Sequence, residues 1–213
     1  MRVIASDNEI EVAVAELVRR EARFATVVKR HGYPPLRRME GGLEGLLRIV
    51  TDQLISLQAG EAIWRRLKAE LDDFDAIRVH RKREASLRRL GLSSAKARCF
   101  KAVARAAATG RIKFEAFATL PDEEVLGQLT ALPGVGPWTA DIYLLSALGR
   151  ADAWPTGDLA LQMAAQDLLD LAERPSPGAM ARLAEGWRPW RSVAARLLWS
   201  HYRGLRGLPQ KAT

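Results

Sequence analysis

Apolar residues recur at three- and four-residue intervals along almost the whole chain, and nowhere do they alternate over the length of a strand. That period constrains the fold most, because it lines helix faces and gives a sheet nothing to be built from. The chain is therefore expected to be all-α. Ser6 followed by Glu9 has the form of a capping box, and Ile10, Ala13, Val14, Leu17 and Val18 behind it share one helical face running to about Arg30. His31-Gly32-Tyr33-Pro34-Pro35 stops that helix. Further helices are predicted from about Leu43 to Leu54, from about Leu57 to Leu71, and from an N-cap at Ser93 or Ser94 to Gly110. A short one follows Pro121, another runs from Pro137 to about Leu148, and Asp158 to Leu171 is helical. Two more lie near 178–187 and 190–202, and the tail beyond Gly204 reads as short, basic and frayed.

A length of 213 residues allows one large domain or two small, closely packed helical units. The 33 Lys and Arg against 25 Asp and Glu give a net charge of +8, which favours a polyanionic partner, nucleic acid first. Cys99 is the only cysteine, which excludes an intramolecular disulfide, a Cys-rich zinc site and a four-cysteine iron–sulfur cluster. His31, His80 and His201 show no ligand spacing. No apolar run approaches the roughly 18 residues of a membrane span, and the N-terminus lacks a signal-peptide core. A cytoplasmic, nucleoid-associated monomer is expected.

The stretch LPGVGPWTAD, Leu132 to Asp141, places two glycines around a valine between two helical segments. Such a turn is a plain helix–helix connection or an anion site, since amides at a helix N-terminus point at a negative ligand. Pro137 suits the first turn of the following helix.

The wider pattern resembles the helix–hairpin–helix DNA glycosylase superfamily. L-P-G-V-G-x-x-T-A-D is similar to its hairpin, and Asp158 in WPTGDLALQ, 22 residues beyond Gly136, stands where the superfamily carries a catalytic aspartate. DQLISLQAG (Asp52 to Gly60), GLSSAKARCFKAVA and RPWRSVAARLLW (Arg188 to Trp199) look like stretches of the 3-methyladenine DNA glycosylase II branch. Together they span about residues 43–202. The resemblance implies two packed helical subdomains: one of about 40–150 with the hairpin at 132–138, the other from about 6–35 plus about 151–205. The cleft between them would hold DNA. No N-terminal β-domain is expected.

The resemblance also implies roles. Asp158 would be the catalyst, since a carboxylate near C1′ stabilises the positive charge that develops as an N-glycosidic bond breaks. By itself an aspartate ahead of an apolar helix is an N-cap. Trp138 and Trp199 would line the base pocket, their indole faces attracting a cationic alkylpurine. Trp138 occupies the position at which bifunctional relatives carry a Schiff-base lysine, so lyase chemistry is not expected. Ile142 replaces an aromatic residue common in the branch. Leu54 would be the wedge that fills the stack after base flipping, with Gln53 beside it in the minor groove. Gly134, Val135 and Gly136 would bind phosphate through their amides, and Lys96, Arg98 and Arg191 are further candidates for backbone grip. Main-chain oxygens of Thr130, Leu132 and Gly134 would hold a structural Na⁺ or K⁺; no other cofactor is implied. Asp141 and Asp152 read as surface and loop residues, and Trp64, Trp187 and Trp190 as core. The partner would be double-stranded DNA with alkylated bases, the product an abasic site. The competing reading is a non-catalytic helix–hairpin–helix DNA-binding protein.

Overall fold

The computed structural model describes residues 1–208, and within them the architecture is helical apart from one isolated antiparallel bridge, Val3 to Arg150. In chain order the helices are α1 (Asp7–Arg20), α2 (Phe24–His31), α3 (Gly42–Asp52), α4 (Leu57–Leu71), α5 (Ala76–Arg81) and α6 (Glu84–Arg89). They continue as α7 (Ser94–Ala108), α8 (Asp122–Thr130), α9 (Pro137–Ile142), α10 (Leu159–Leu168), α11 (Pro177–Glu185) and α12 (Arg191–Leu205). A 3₁₀ turn covers Phe114–Ala118, and a π-helical turn, Tyr143–Ala147, continues α9. The chain forms two compact units, one from Met1–Arg38 with everything from Leu144 on, the other Met39–Tyr143.

The first unit is built on α12, which packs against α1, α2 and α10. Val193, Ala194, Ala195, Leu197 and Leu198 are all fully buried, as in a helix surrounded on every side. The expected single N-terminal helix is in fact two. Glu21 turns extended at φ −140 and Arg23 donates to the Leu169 carbonyl at 2.7 Å, so that both pieces lie along α12. The capping box forms as its spacing requires: Glu9 N–H donates to Ser6 Oγ at 3.3 Å, and the Glu9 carboxylate accepts from Ser6 N–H at 3.0 Å. Phe24, Trp154 and Trp187 form an aromatic core, with Trp187 at 5.5 Å from each of the other two rings. Trp190 is also buried, its indole N–H donating to Glu16 at 2.9 Å.

In the second unit α7 packs against α3, α5 and α6, and α8 against α9. Leu46, Leu47 and Val50 of α3 are fully buried, each worth about 1.5–3 kcal/mol over an exposed position. Trp64 stacks on Phe74 at 4.7 Å. Helices α5 and α6 are not legible from periodicity. Each has six residues and buries a single apolar side chain, Val79 and Leu87. At the far end α12 runs through Gly204 to Leu205; residues 209–213 of the expected frayed tail lie outside the described residues.

Candidate active site

The hairpin belongs to the second unit. Leu132 N–H donates to Leu129 O as α8 ends, and Val135 N–H donates to Leu132 O at 3.1 Å, closing the turn over the buried Val135 side chain. The Val135 amide is therefore committed to the turn and is not a phosphate donor, contrary to expectation. The amides of Gly134 and Gly136 find no partner among the described residues. The two glycines differ in kind. Gly134 has φ +86, and a Cβ there would lie 2.8 Å from Cys99 Cβ, so both backbone and packing demand glycine. Gly136 is extended at φ −90 and ψ 175, and a Cβ there would meet nothing within 4 Å. Nothing inside the protein asks for glycine at 136, and its surroundings are open to an approaching ligand.

The end of α3 faces the same hairpin. Gln53 Nε2 donates to Thr139 Oγ1 at 2.7 Å and approaches Gly134 O at 3.5 Å. Lys96, near the start of α7, donates to Thr51 O at 2.8 Å and Gln53 O at 2.6 Å. It thus covers the last carbonyls of α3, where a cation is favoured. Burial lowers its pKa. Lys96 is thus a cap for α3. Beyond this clamped end Leu54 adopts φ +54, and the residue is fully exposed. A left-handed leucine costs about 1–2 kcal/mol, and this one recovers nothing by burial, so it is not a core residue.

Asp158 and Trp199 belong to the first unit, on α10 and α12, which pack together. Asp158 is the N-cap of α10: Oδ1 accepts from Leu161 N–H at 3.0 Å. The carboxylate is half-buried, held at one oxygen by the helix it caps. Capping and catalysis are compatible, since the cap fixes the orientation of the group. Trp199 is half-buried and lines a recess of about 130 Å³ with Pro34, Pro35 and Arg37. Trp138, in the first turn of α9, is half-buried in the second unit. One other acid departs from expectation: Asp141 is buried, not a surface residue. Asp152 lies in a turn, as expected of a loop residue, and accepts from Arg191 at 2.9 and 3.0 Å. Arg191 also reaches Glu185 at 3.3 Å, so it is taken up internally, whereas Arg98 stays exposed.

The Leu132 and Gly134 oxygens each accept one contact, from Val135 N–H and Gln53, and each retains a second lone pair. Thr130 is the last residue of α8, at the negative end of that helix's dipole. Among the described residues no cluster of His, Cys, Asp or Glu could hold a metal, and no helix is long and apolar enough to cross a membrane. Sequence reasoning missed Thr139 as the partner of Gln53, and Arg37, Arg196 and Arg203 around Trp199. Only the three-dimensional packing brings these together.

The chain matches known proteins along most of its length. It is 28% identical to DNA-3-methyladenine glycosylase 1 of Schizosaccharomyces pombe, over 92% of this chain and 88% of that protein. A 74-residue segment is 49% identical to a probable bifunctional transcriptional activator/DNA repair enzyme AlkA of Mycobacterium tuberculosis, covering 35% of this chain but only 14% of that protein. The solved structure of the Schizosaccharomyces pombe 3-methyladenine DNA glycosylase in complex with abasic DNA superposes with a TM-score of 0.80 at 26% identity, over 96% of this chain and 100% of that one. Residues 47–189 match the model of the HhH-GPD superfamily base excision DNA repair proteins, and the chain belongs to that superfamily.

Proposed function

We propose that the protein is a monofunctional DNA glycosylase that hydrolyses the N-glycosidic bond of alkylated purines, of the 3-methyladenine and 7-methylguanine class, in base excision repair. The observation that carries this reading is Leu54, held in left-handed backbone and wholly exposed at the end of α3. Folding does not explain it, whereas filling the gap left by a flipped base does. The family membership and the likeness to a 3-methyladenine glycosylase over most of both chains support the same reading.

In the reaction, the bond from C1′ to the base nitrogen breaks and its electron pair leaves with the base. An alkylated base that starts as a cation departs neutral. Positive charge grows on the sugar, and Asp158 stabilises it electrostatically. Water oxygen then bonds to C1′, and Asp158 or solvent takes its proton. The N-cap bond from Leu161 fixes one carboxylate oxygen. Trp138 and Trp199 offer stacking faces to the base. The Gly134 and Gly136 amides would bind a backbone phosphate of double-stranded DNA. Thr130, Leu132 and Gly134 oxygens would hold Na⁺ or K⁺, which would stiffen the hairpin; no chemical step runs through it. Trp138 replaces the lysine that a Schiff base needs, so the product is an abasic site with an intact strand. A monomer in the nucleoid-bearing cytoplasm suits this work.

The test is incubation with methylated DNA, followed by chromatography of released bases and borohydride trapping. Release of 3-methyladenine or 7-methylguanine without a trapped covalent complex is expected. DNA binding with no base released would instead make the chain a non-catalytic DNA-binding protein, and a trapped adduct would make it a lyase.

A further inference from the structure

Leu54 stands in left-handed backbone and is fully exposed, so its neighbours must hold it there. Both sides of it are anchored within the second unit. Gln53, the residue before, is fixed at two points. Its carbonyl accepts from Lys96 Nζ at 2.6 Å, and the same ammonium donates to Thr51 O at 2.8 Å. Its side-chain amide donates to Thr139 Oγ1 at 2.7 Å and comes within 3.5 Å of Gly134 O. A carbonyl oxygen only accepts, so the amide nitrogen, with its two hydrogens, is the end that faces the hairpin. Thr139 lies in the first turn of α9 and is only 2% exposed, which shields it from a DNA groove. On the far side of Leu54, Ser56 caps α4 by accepting from Ala59 N–H at 3.2 Å. Gly60 of that helix lets α4 close on α3, since a Cβ there would lie 2.2 Å from Asp52 Oδ1. A loop held at both ends leaves little slack to the residue between.

We infer that Gln53 and Thr139 are positioning residues that set Leu54 before DNA arrives, by tying the loop that carries it to the hairpin. Gln53 then acts through Leu54 and not by reading base edges, because its two amide hydrogens are directed at Thr139 and Gly134. The distance between the leucine and the hairpin amides is thereby built into the fold. Ordering the loop in advance removes that cost from the encounter with DNA. The inference rests on the reading of Leu54 as the wedge, which the experiment tests separately.

Affinity is measured by fluorescence anisotropy for an undamaged duplex and for one with a tetrahydrofuran abasic-site analogue, which requires no base release. Wild type is expected to favour the abasic duplex, and Leu54→Ala to lose that preference. Gln53→Met and Thr139→Val, each checked by thermal melting, should each cut the preference about three- to tenfold, the worth of one hydrogen bond. The double variant should lose no more than either alone. Affinity of Thr139→Val for the undamaged duplex should stay within about twofold of wild type. A fall in Gln53→Met with a wild-type preference in folded Thr139→Val overturns the inference and leaves the wedge standing. A second measurement needs no folded Thr139 variant: wild-type affinity for the abasic duplex should be the same whichever base lies opposite the analogue. A dependence on that base, abolished by Gln53→Met, would make Gln53 a base reader and overturn the inference. No abasic preference in wild type, or one that survives Leu54→Ala, rejects the wedge and the inference with it. A preference that needs Gln53, Thr139 and Leu54, without base release from methylated DNA, would keep the inference and reject the glycosylase.

Discussion

Leu54 carries two penalties at once, a left-handed backbone and a leucine side chain left in water. Leu54→Gly should therefore stabilise the fold by about 1 kcal/mol, measured by urea unfolding, while base release from lesion DNA falls at least several-fold. A loss of stability would return Leu54 to a structural role. Asp158 offers a similarly clean separation. Asparagine caps a helix about as well as aspartate, so Asp158→Asn should melt within a degree or two of wild type. Alanine would confound the two roles by removing the cap, at about 1 kcal/mol. Asp158 and Leu54 could be singled out in the sequence because short ordered stretches around them resemble the family's pattern; the cap that Asp158 makes and the exposure of Leu54 came from the structure. The cap that Lys96 makes was not legible, because the carbonyls it covers lie 45 and 43 positions away. Its charge suggested DNA; its geometry assigns it to the end of α3.

At the level of elements, folding asks for glycine at one of the two hairpin positions and not at the other. Gly134→Ala would force a side chain into left-handed backbone and against Cys99. A loss of about 1–3 kcal/mol in unfolding free energy is expected. Gly136→Ala meets open space in ordinary extended backbone. It should leave unfolding unchanged and weaken binding to duplex DNA, measured by fluorescence anisotropy, by several-fold. If Gly136→Ala binds DNA as wild type does, the hairpin is only a helix connection. The sequence marked the turn, but it could not say which amide closes it. That depends on Val135 N–H meeting Leu132 O, a matter of a few degrees of backbone rotation. Helices α5 and α6 escaped notice for a different reason. With one buried side chain each, they carry no period to read.

For the molecule as a whole, helical periodicity was enough to indicate an all-α chain, and the basic excess to indicate a polyanion. The joining of the N-terminal segment to the C-terminal helices was beyond any local pattern. It rests on long-range bonds within the first unit, such as Ile4 N–H to Gly149 O at 2.8 Å and Ala151 N–H to Arg2 O at 3.0 Å. Charge also acts at this scale. Affinity for undamaged duplex should fall linearly in log–log terms with added salt. The slope should stay well below that expected if all 33 Lys and Arg met phosphates, because basic residues such as Arg48, Arg188 and Arg191 are held in ion pairs. The central claim is that Asp158 does chemistry on a base and does not merely cap α10. It is tested most directly by single-turnover release of 7-methylguanine, with duplex affinity measured on the same preparations of wild type and Asp158→Asn. The account expects equal affinity and melting, with release slowed roughly 100-fold or more. Equal release rates in the two proteins would contradict it.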